Sequence, residues 1–221
     1  MYDIVQNVKK TVKENKKKNI ETLLKQSSLI NIYSMLNELA VNGVKLNNTT
    51  IEKIIEHIEE EEEEGKELEF KEVTNTYNSL SRHIDVGTEK IISGENGENM
   101  VEKGKNIIET LYNKVLKHIE EGKDDFEGIV DVLDGTVNIM NVWNINKRNT
   151  GQVKEYSNKE LLKRCEVLIN RLKYHFNNSL EPKLIRILLR NISTLRYYDE
   201  ELMEMIIGHY KSTHRKMEFT R

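Results

Sequence analysis

Residues 53–60 read KIIEHIEE, and residues 114–121 read KVLKHIEE. Each copy then passes through a Gly-Lys pair, Gly65-Lys66 or Gly122-Lys123, into an acid-flanked phenylalanine, Phe70 or Phe126. Aligned on the histidine, residues 171–178 read RLKYHFNN and residues 205–212 read MIIGHYKS, so four of the six histidines share one context. His57, His118, His175 and His209 are followed by Ile58, Ile119, Phe176 and Tyr210, at spacings of 61, 57 and 34 residues. Self-similarity on this scale marks a repeated supersecondary unit, and it is weighed before any other reading of the fold.

The rest of the 221-residue chain suits helices. It has one proline, Pro182, 6 % aromatic and 32 % charged residues, and lacks the Gly/Pro punctuation of a β-sandwich. We read the fold class as all-α. The single cysteine, Cys165, cannot close an internal disulfide, so a reducing compartment is the default. No run of about 18 apolar residues suggests a membrane span. The N-terminal MYDIVQNVKK has neither the apolar core of a secretory signal nor the arginines of an organelle presequence.

Apolar residues recur at helical spacing in pairs of segments. A leading amphipathic helix is expected within residues 1–26, and four hairpins within residues 27–221. The first pairs Leu29, Ile32, Leu36 and Leu39 with Ile51, Ile54, Ile55 and Ile58. The second pairs Phe70, Val73, Tyr77, Leu80 and Ile84 with Val101, Ile107, Ile108, Leu111, Val115 and Ile119, across a loop at Gly94 and Gly97. The third pairs a stripe from Phe126 to Met140 with one from Leu161 to Phe176, across a polar connection over 144–156, with Ser157 or Asn158 as cap. The fourth has Ser179 as cap, Pro182 in the first turn, a stripe from Leu184 to Leu195, and then Leu202, Met205, Ile206 and Tyr210. Leu195 is expected to be buried between hairpins. Each hairpin carries an apolar face that it can bury only against a neighbour, which is the logic of an α-solenoid of stacked antiparallel hairpins. A closed helical bundle is the competing arrangement.

No constellation of residues calls for catalysis, a cofactor, a metal or a small-molecule substrate. The repeated histidines fall near helix C-termini, where an imidazole suits the dipole and free carbonyls. Neither HExxH nor paired Glu-x-x-His spacing occurs. Cys165 lies on an apolar stripe and reads as core. Asp124, Asp125, Asp131 and Asp134 lack the EF-hand order and read as caps and solvated positions.

The net charge of −3 conceals an asymmetry: residues 1–50 carry +4, 51–146 carry −14 and 147–221 carry +7. In the basic C-terminal third, Lys183, Arg186 and Arg190 fall on one helix face, and Arg164 and Arg171 lie two turns apart on the helix before. With Arg196 these are the candidate RNA-contacting residues, since arginine suits forked phosphate contacts. Tyr174, Tyr197, Tyr198 and Trp143 are candidate stacking surfaces. The competing reading is that these charges merely solvate exposed faces.

The segment LIRILLRNISTLRYYDEELMEMIIGHY, residues 184–210, resembles the octotricopeptide and heptatricopeptide class of helical-hairpin repeats found beside RAP domains and in the FAST-kinase family. There a Leu-x-Tyr-x-Asp-x-x-Leu step links the two helices, and Leu195, Tyr197, Asp199 and Leu202 match it. The first hairpin, with Val44, Asn47, Asn48 and Ile51, matches loosely, and the RAP module is lacking. The resemblance implies a non-catalytic α-solenoid in a mitochondrion or plastid that binds RNA or sits on an organellar ribosome. The Lys-, Asn-, Ile- and Glu-rich composition looks like that of an AT-biased genome, and proteins of this class are similar to mitochondrial ribosome components of apicomplexan parasites. The partners so implied are rRNA and neighbouring ribosomal proteins. The alternative is a protein-binding scaffold with an acidic central surface and no RNA contact.

Overall fold

A computed structural model of the protein describes residues 68–83, 97–150, 158–177 and 179–218, with positions 35, 36, 39, 46, 51, 53–56 and 60 of the preceding segment. Six helices are delimited: α1 (Phe70–Ser81), α2 (Gly97–Glu120), α3 (Phe126–Thr150), α4 (Asn158–His175), α5 (Pro182–Leu195) and α6 (Glu200–Glu218). The described residues are all helical or in turns, as the all-α reading expects, and contain no strand. The expected helix over 1–26 and most of the first hairpin, His57 included, lie outside the described residues. The described positions of that hairpin, among them Leu36, Leu39, Ile51 and Ile54, join one apolar core with the later helices.

Local chemistry sets the helix ends. The Glu72 carboxylate accepts the Glu69 N–H at 3.0 Å and opens α1. Asp125 accepts the Gly128 N–H at 2.7 Å and opens α3. Helix α2 closes in a Schellman turn: Lys123 N–H donates to the His118 carbonyl at 3.0 Å, Gly122 N–H to that of Ile119 at 3.1 Å, and Gly122 takes φ +66°. The Gly122-Lys123 pair is therefore a helix stop, whereas Gly65-Lys66 lies outside the described residues.

Helix α3 is central: α1, α4 and α5 all pack against it, and α2 packs against α1. The α1–α3 crossing is closely fitted. A methyl group at Gly128 would stand 2.5 Å from the Phe70 ring, and one at Gly135 would stand 2.9 Å from the Tyr77 ring. Phe70 and Tyr77 are seven residues apart, as are Gly128 and Gly135, so two rings seat over two glycines at matching turns of parallel helices. Burial of each ring contributes about 2 kcal/mol. The buried Tyr77 hydroxyl reaches Thr136 Oγ1 at 3.0 Å. Because Thr136 donates its own proton to the Val132 carbonyl at 2.9 Å, Tyr77 is the donor. Burial pushes the Tyr77 pKa up to about 12.

The first residues of α1, α3 and α5, namely Phe70, Phe126 and Pro182, are evenly spaced 56 residues apart. This register holds more closely than the spacing of the histidines. The stripes expected on α1 and α3 are buried, from Phe70 to Leu80 and from Phe126 to Met140.

Three local expectations are corrected. The polar connection over 144–156 is shorter than expected, because α3 continues through Thr150 and Trp143 lies within it. Asn144 to Thr150 contains no Gly or Pro to stop a helix. Ser179 does not cap α5: Glu181 holds the N-cap position in extended conformation with Pro182 behind it, and the Ser179 amide and hydroxyl both donate to Asn177. Leu195 is partly buried rather than enclosed.

Candidate functional site

The repeated phrase proves to be a set of packing contacts. His118, at the end of α2, is buried with its ring centroid 5.8 Å from that of Phe70, at the start of α1. The third hairpin repeats this antiparallel contact one residue later, with Phe176 edge-on to Phe126 at 5.8 Å. Phe176 also meets the buried His209 of α6 at 6.1 Å, which links the third hairpin to the fourth. His175 binds a carboxylate: its Nε2 donates to Asp124 at 2.7 Å. His118 and His175 thus lie near helix C-termini as expected, whereas His209 lies within α6, and the three meet rings and a carboxylate.

Asp124 is buried and collects three donors. Arg171 Nε and Nη2 each donate to it at 2.6 Å, and His175 adds the third. Burial pushes its pKa up, but the hydrogen bonds from Arg171 and His175 outweigh that and hold it below the usual carboxylate range. Asp134 is likewise buried, between Arg82, at the C-terminal cap of α1, at 3.6 Å and Arg190 of α5, whose guanidinium donates to it. Neither aspartate is solvated, contrary to the sequence reading. The neighbouring Asp131 accepts from Asn78 at 3.4 Å, and burial, with Glu127 nearby, pushes its pKa up to about 6.

The six candidate RNA-contacting residues divide into two groups. Arg164 faces α2: its guanidinium bonds Glu109 and lies 4.4 Å from the Tyr112 ring centroid. Arg171 is held by Asp124 and stacks over Tyr174 at 4.6 Å. Both are engaged within the fold. Lys183, Arg186 and Arg190 share the exposed face of α5, opposite the buried Ile185, Leu188 and Ile192. Arg190 keeps 63 % of its side chain exposed despite its bond to Asp134. Arg196 follows, exposed, in the left-handed conformation at φ 52°.

The stacking candidates divide as well. Tyr174 and Tyr198 are 74 % and 76 % exposed, whereas Tyr197 is partly buried against the core. Tyr210, not singled out for stacking from sequence, is 65 % exposed. The turn carrying Tyr198 is pinned on its far side by Asp199, whose carboxylate accepts the Leu202 N–H at 2.9 Å and the Lys173 ammonium at 3.0 Å. Those two interactions, the Leu202 bond first, hold the Asp199 pKa down. Arg82 and His83 escaped the sequence reading. His83 Nε2 lies 2.9 Å from the Leu36 carbonyl oxygen and ties α1 to the first hairpin. Neither sits in the repeated phrase, and only the packing of the helices reveals their partners.

The described residues hold no group of three or more His, Cys, Asp or Glu arranged to bind a metal, and no helix among them is long and apolar enough to cross a membrane. Cys165 is buried, and burial pushes its pKa up to about 12, so its thiol stays protonated. Comparison of the chain with protein-family models, with curated proteins and with solved structures gives no match.

Proposed function

We propose that the chain is a non-catalytic helical-repeat protein that binds RNA through the basic face of α5, as a structural component of a mitochondrial ribosome. The observation that carries the RNA reading is the exposed row Lys183, Arg186 and Arg190, continued by Arg196 and flanked by Tyr198. Neutralising phosphates with such a row gives sequence-independent affinity, and an exposed ring adds a surface for unpaired bases. Stacked hairpins are the arrangement that best accounts for α3 lying between α1 and α5, and for the even register of their first residues. The mitochondrial and ribosomal parts rest on the resemblance of Leu195, Tyr197, Asp199 and Leu202 to the organellar repeat class.

The scaffold reading has one observation in its favour. Along α1, α3 and α5 the facing charges alternate: Lys71 and Arg82 meet Glu127 and Asp134, and Asp134 meets Arg190. A further helix laid on α5 would complete the series with acids. Against it, Asp124 and Asp134 of the acidic middle are used inside the fold.

Ultraviolet crosslinking of the chain in its own cells, with sequencing of attached RNA and sedimentation of the lysate, tests the proposal. The expected result is crosslinked rRNA with the protein in a ribosomal fraction. Sedimentation with proteins alone, and no crosslinked RNA, supports the scaffold instead.

A further inference from the structure

Two helices of this protein end in the same hydrogen-bonded turn but with different residues at its left-handed position. Helix α2 uses Gly122 at φ +66°. Helix α5 uses Arg196 at φ 52°, with Tyr197 N–H donating to the Ile192 carbonyl at 3.1 Å and Arg196 N–H to that of Ser193 at 3.2 Å. Glycine takes this conformation without steric cost, and a residue with a Cβ does not. The hydrogen bonds of the turn hold this conformation, but the Arg196 side chain adds nothing to it among the described residues: it is exposed and forms no ion pair with any of them.

The next residues fix what this turn presents. Tyr197 packs against the core, and Asp199 is bound to the Leu202 amide and to Lys173. Between these two anchored neighbours Tyr198 is directed outward, 76 % exposed. A ring on an anchored backbone loses little freedom when a ligand stacks on it. Lys183, Arg186 and Arg190 are exposed on α5, and Arg196 and Tyr198, also exposed, follow directly after its C-terminal end. A cationic track ending at an open aromatic ring is the combination by which proteins hold single-stranded nucleic acid.

We infer that the α5–α6 turn is a contact site for unpaired nucleotides, in which Tyr198 stacks on a base and Arg196 binds an adjoining phosphate. This rests on the RNA reading above and narrows it to single-stranded RNA, because a base within a duplex has no free face to offer.

The test uses the full chain and fluorescent single-stranded oligouridine, with a duplex of equal length beside it, by anisotropy across a range of salt. Tyr198→Ala is expected to weaken single-strand binding about tenfold, while Tyr198→Phe stays within about twofold, on the usual scale of base–aromatic stacking. Arg196→Gly is expected to raise the melting temperature while weakening binding and lowering the salt slope by about 0.7, the value for one phosphate of a single strand. A structural role alone would not couple a gain in stability to a loss of affinity. If Tyr198→Ala and Arg196→Gly bind like the parent while Lys183→Glu/Arg186→Glu does not, the inference falls and the RNA reading stands. Equal binding of the duplex also overturns the inference. If the parent binds neither probe at low salt, both fall.

Discussion

Tyr77 of α1 lies against Gly135 of α3, with the Asn78 Cα only 3.2 Å from where a Cβ on that glycine would stand. The contact fixes the distance between two helix backbones, because neither a ring enclosed on all sides nor a Cα can swing away.

Gly135→Ala is therefore expected to destabilise the protein by about 1–2 kcal/mol. The strain of overpacking exceeds the gain in helix propensity, which is about 1 kcal/mol. A urea titration checks this, and a midpoint equal to or above that of the parent contradicts it. Gly122→Ala meets no neighbouring atom, so its cost comes from the positive φ alone.

Asp124→Asn is expected to cost about 3 kcal/mol, because Arg171 loses the carboxylate that accepts two of its N–H groups in a partly buried setting. The folded-state pKa of Asp124 is depressed, so its contribution is present above the unfolded value, near 3.9, and is lost as pH falls through the folded value. Thermal melts below pH 4 should thus show the parent losing part of its advantage over the variant.

Asp131 has the opposite sign. Its folded pKa, about 6, lies above the unfolded value near 3.9, so the folded state binds the proton more tightly and stability falls as pH rises from about 4 to 6. Asp131→Asn is expected to remove that slope and to raise stability at pH 7.5 by about 1–3 kcal/mol. A parent and variant with parallel pH profiles would contradict it.

Phe176 stands between Phe126 and His209, so it couples the third hairpin to the fourth. A double-mutant cycle of Phe176→Ala with His209→Ala is expected to give a coupling of about 1 kcal/mol, the scale of an edge-on aromatic pair. Additive effects would show that the histidine of the repeated phrase does not serve packing between hairpins.

The helices were legible where periodicity was long and unbroken. The stripe Phe70, Val73, Tyr77, Leu80 and the one from Phe126 to Met140 are buried as their spacing requires. The extension of α3 through Thr150 was hidden because polar residues without Gly or Pro read equally as loop or solvated helix. Long-range partners were not legible at all. Asp124 and Arg171 are 47 residues apart, and Asp134 and Arg190 are 56 apart. The sequence shows charge at these positions, whereas only the packing of the helices around α3 shows which charges meet. For the same reason Arg164 and Arg171 look like surface arginines in sequence and are engaged within the fold, while Lys183 and Arg186 keep the exposed positions predicted for them.

The basic face of α5 is the centre of the functional proposal, and Lys183→Glu/Arg186→Glu tests it most directly. Both residues are exposed and form no ion pair with a described residue, whereas reversing Arg190 would set a glutamate beside Asp134 and disturb the fold. The measurement is RNA affinity of parent and double variant against salt concentration, with a thermal melt of each. The account predicts unchanged melting, affinity reduced at least tenfold at low salt, and a shallower dependence of log K on log salt, since phosphate contacts are lost. Identical affinity and slope for the two proteins would contradict it.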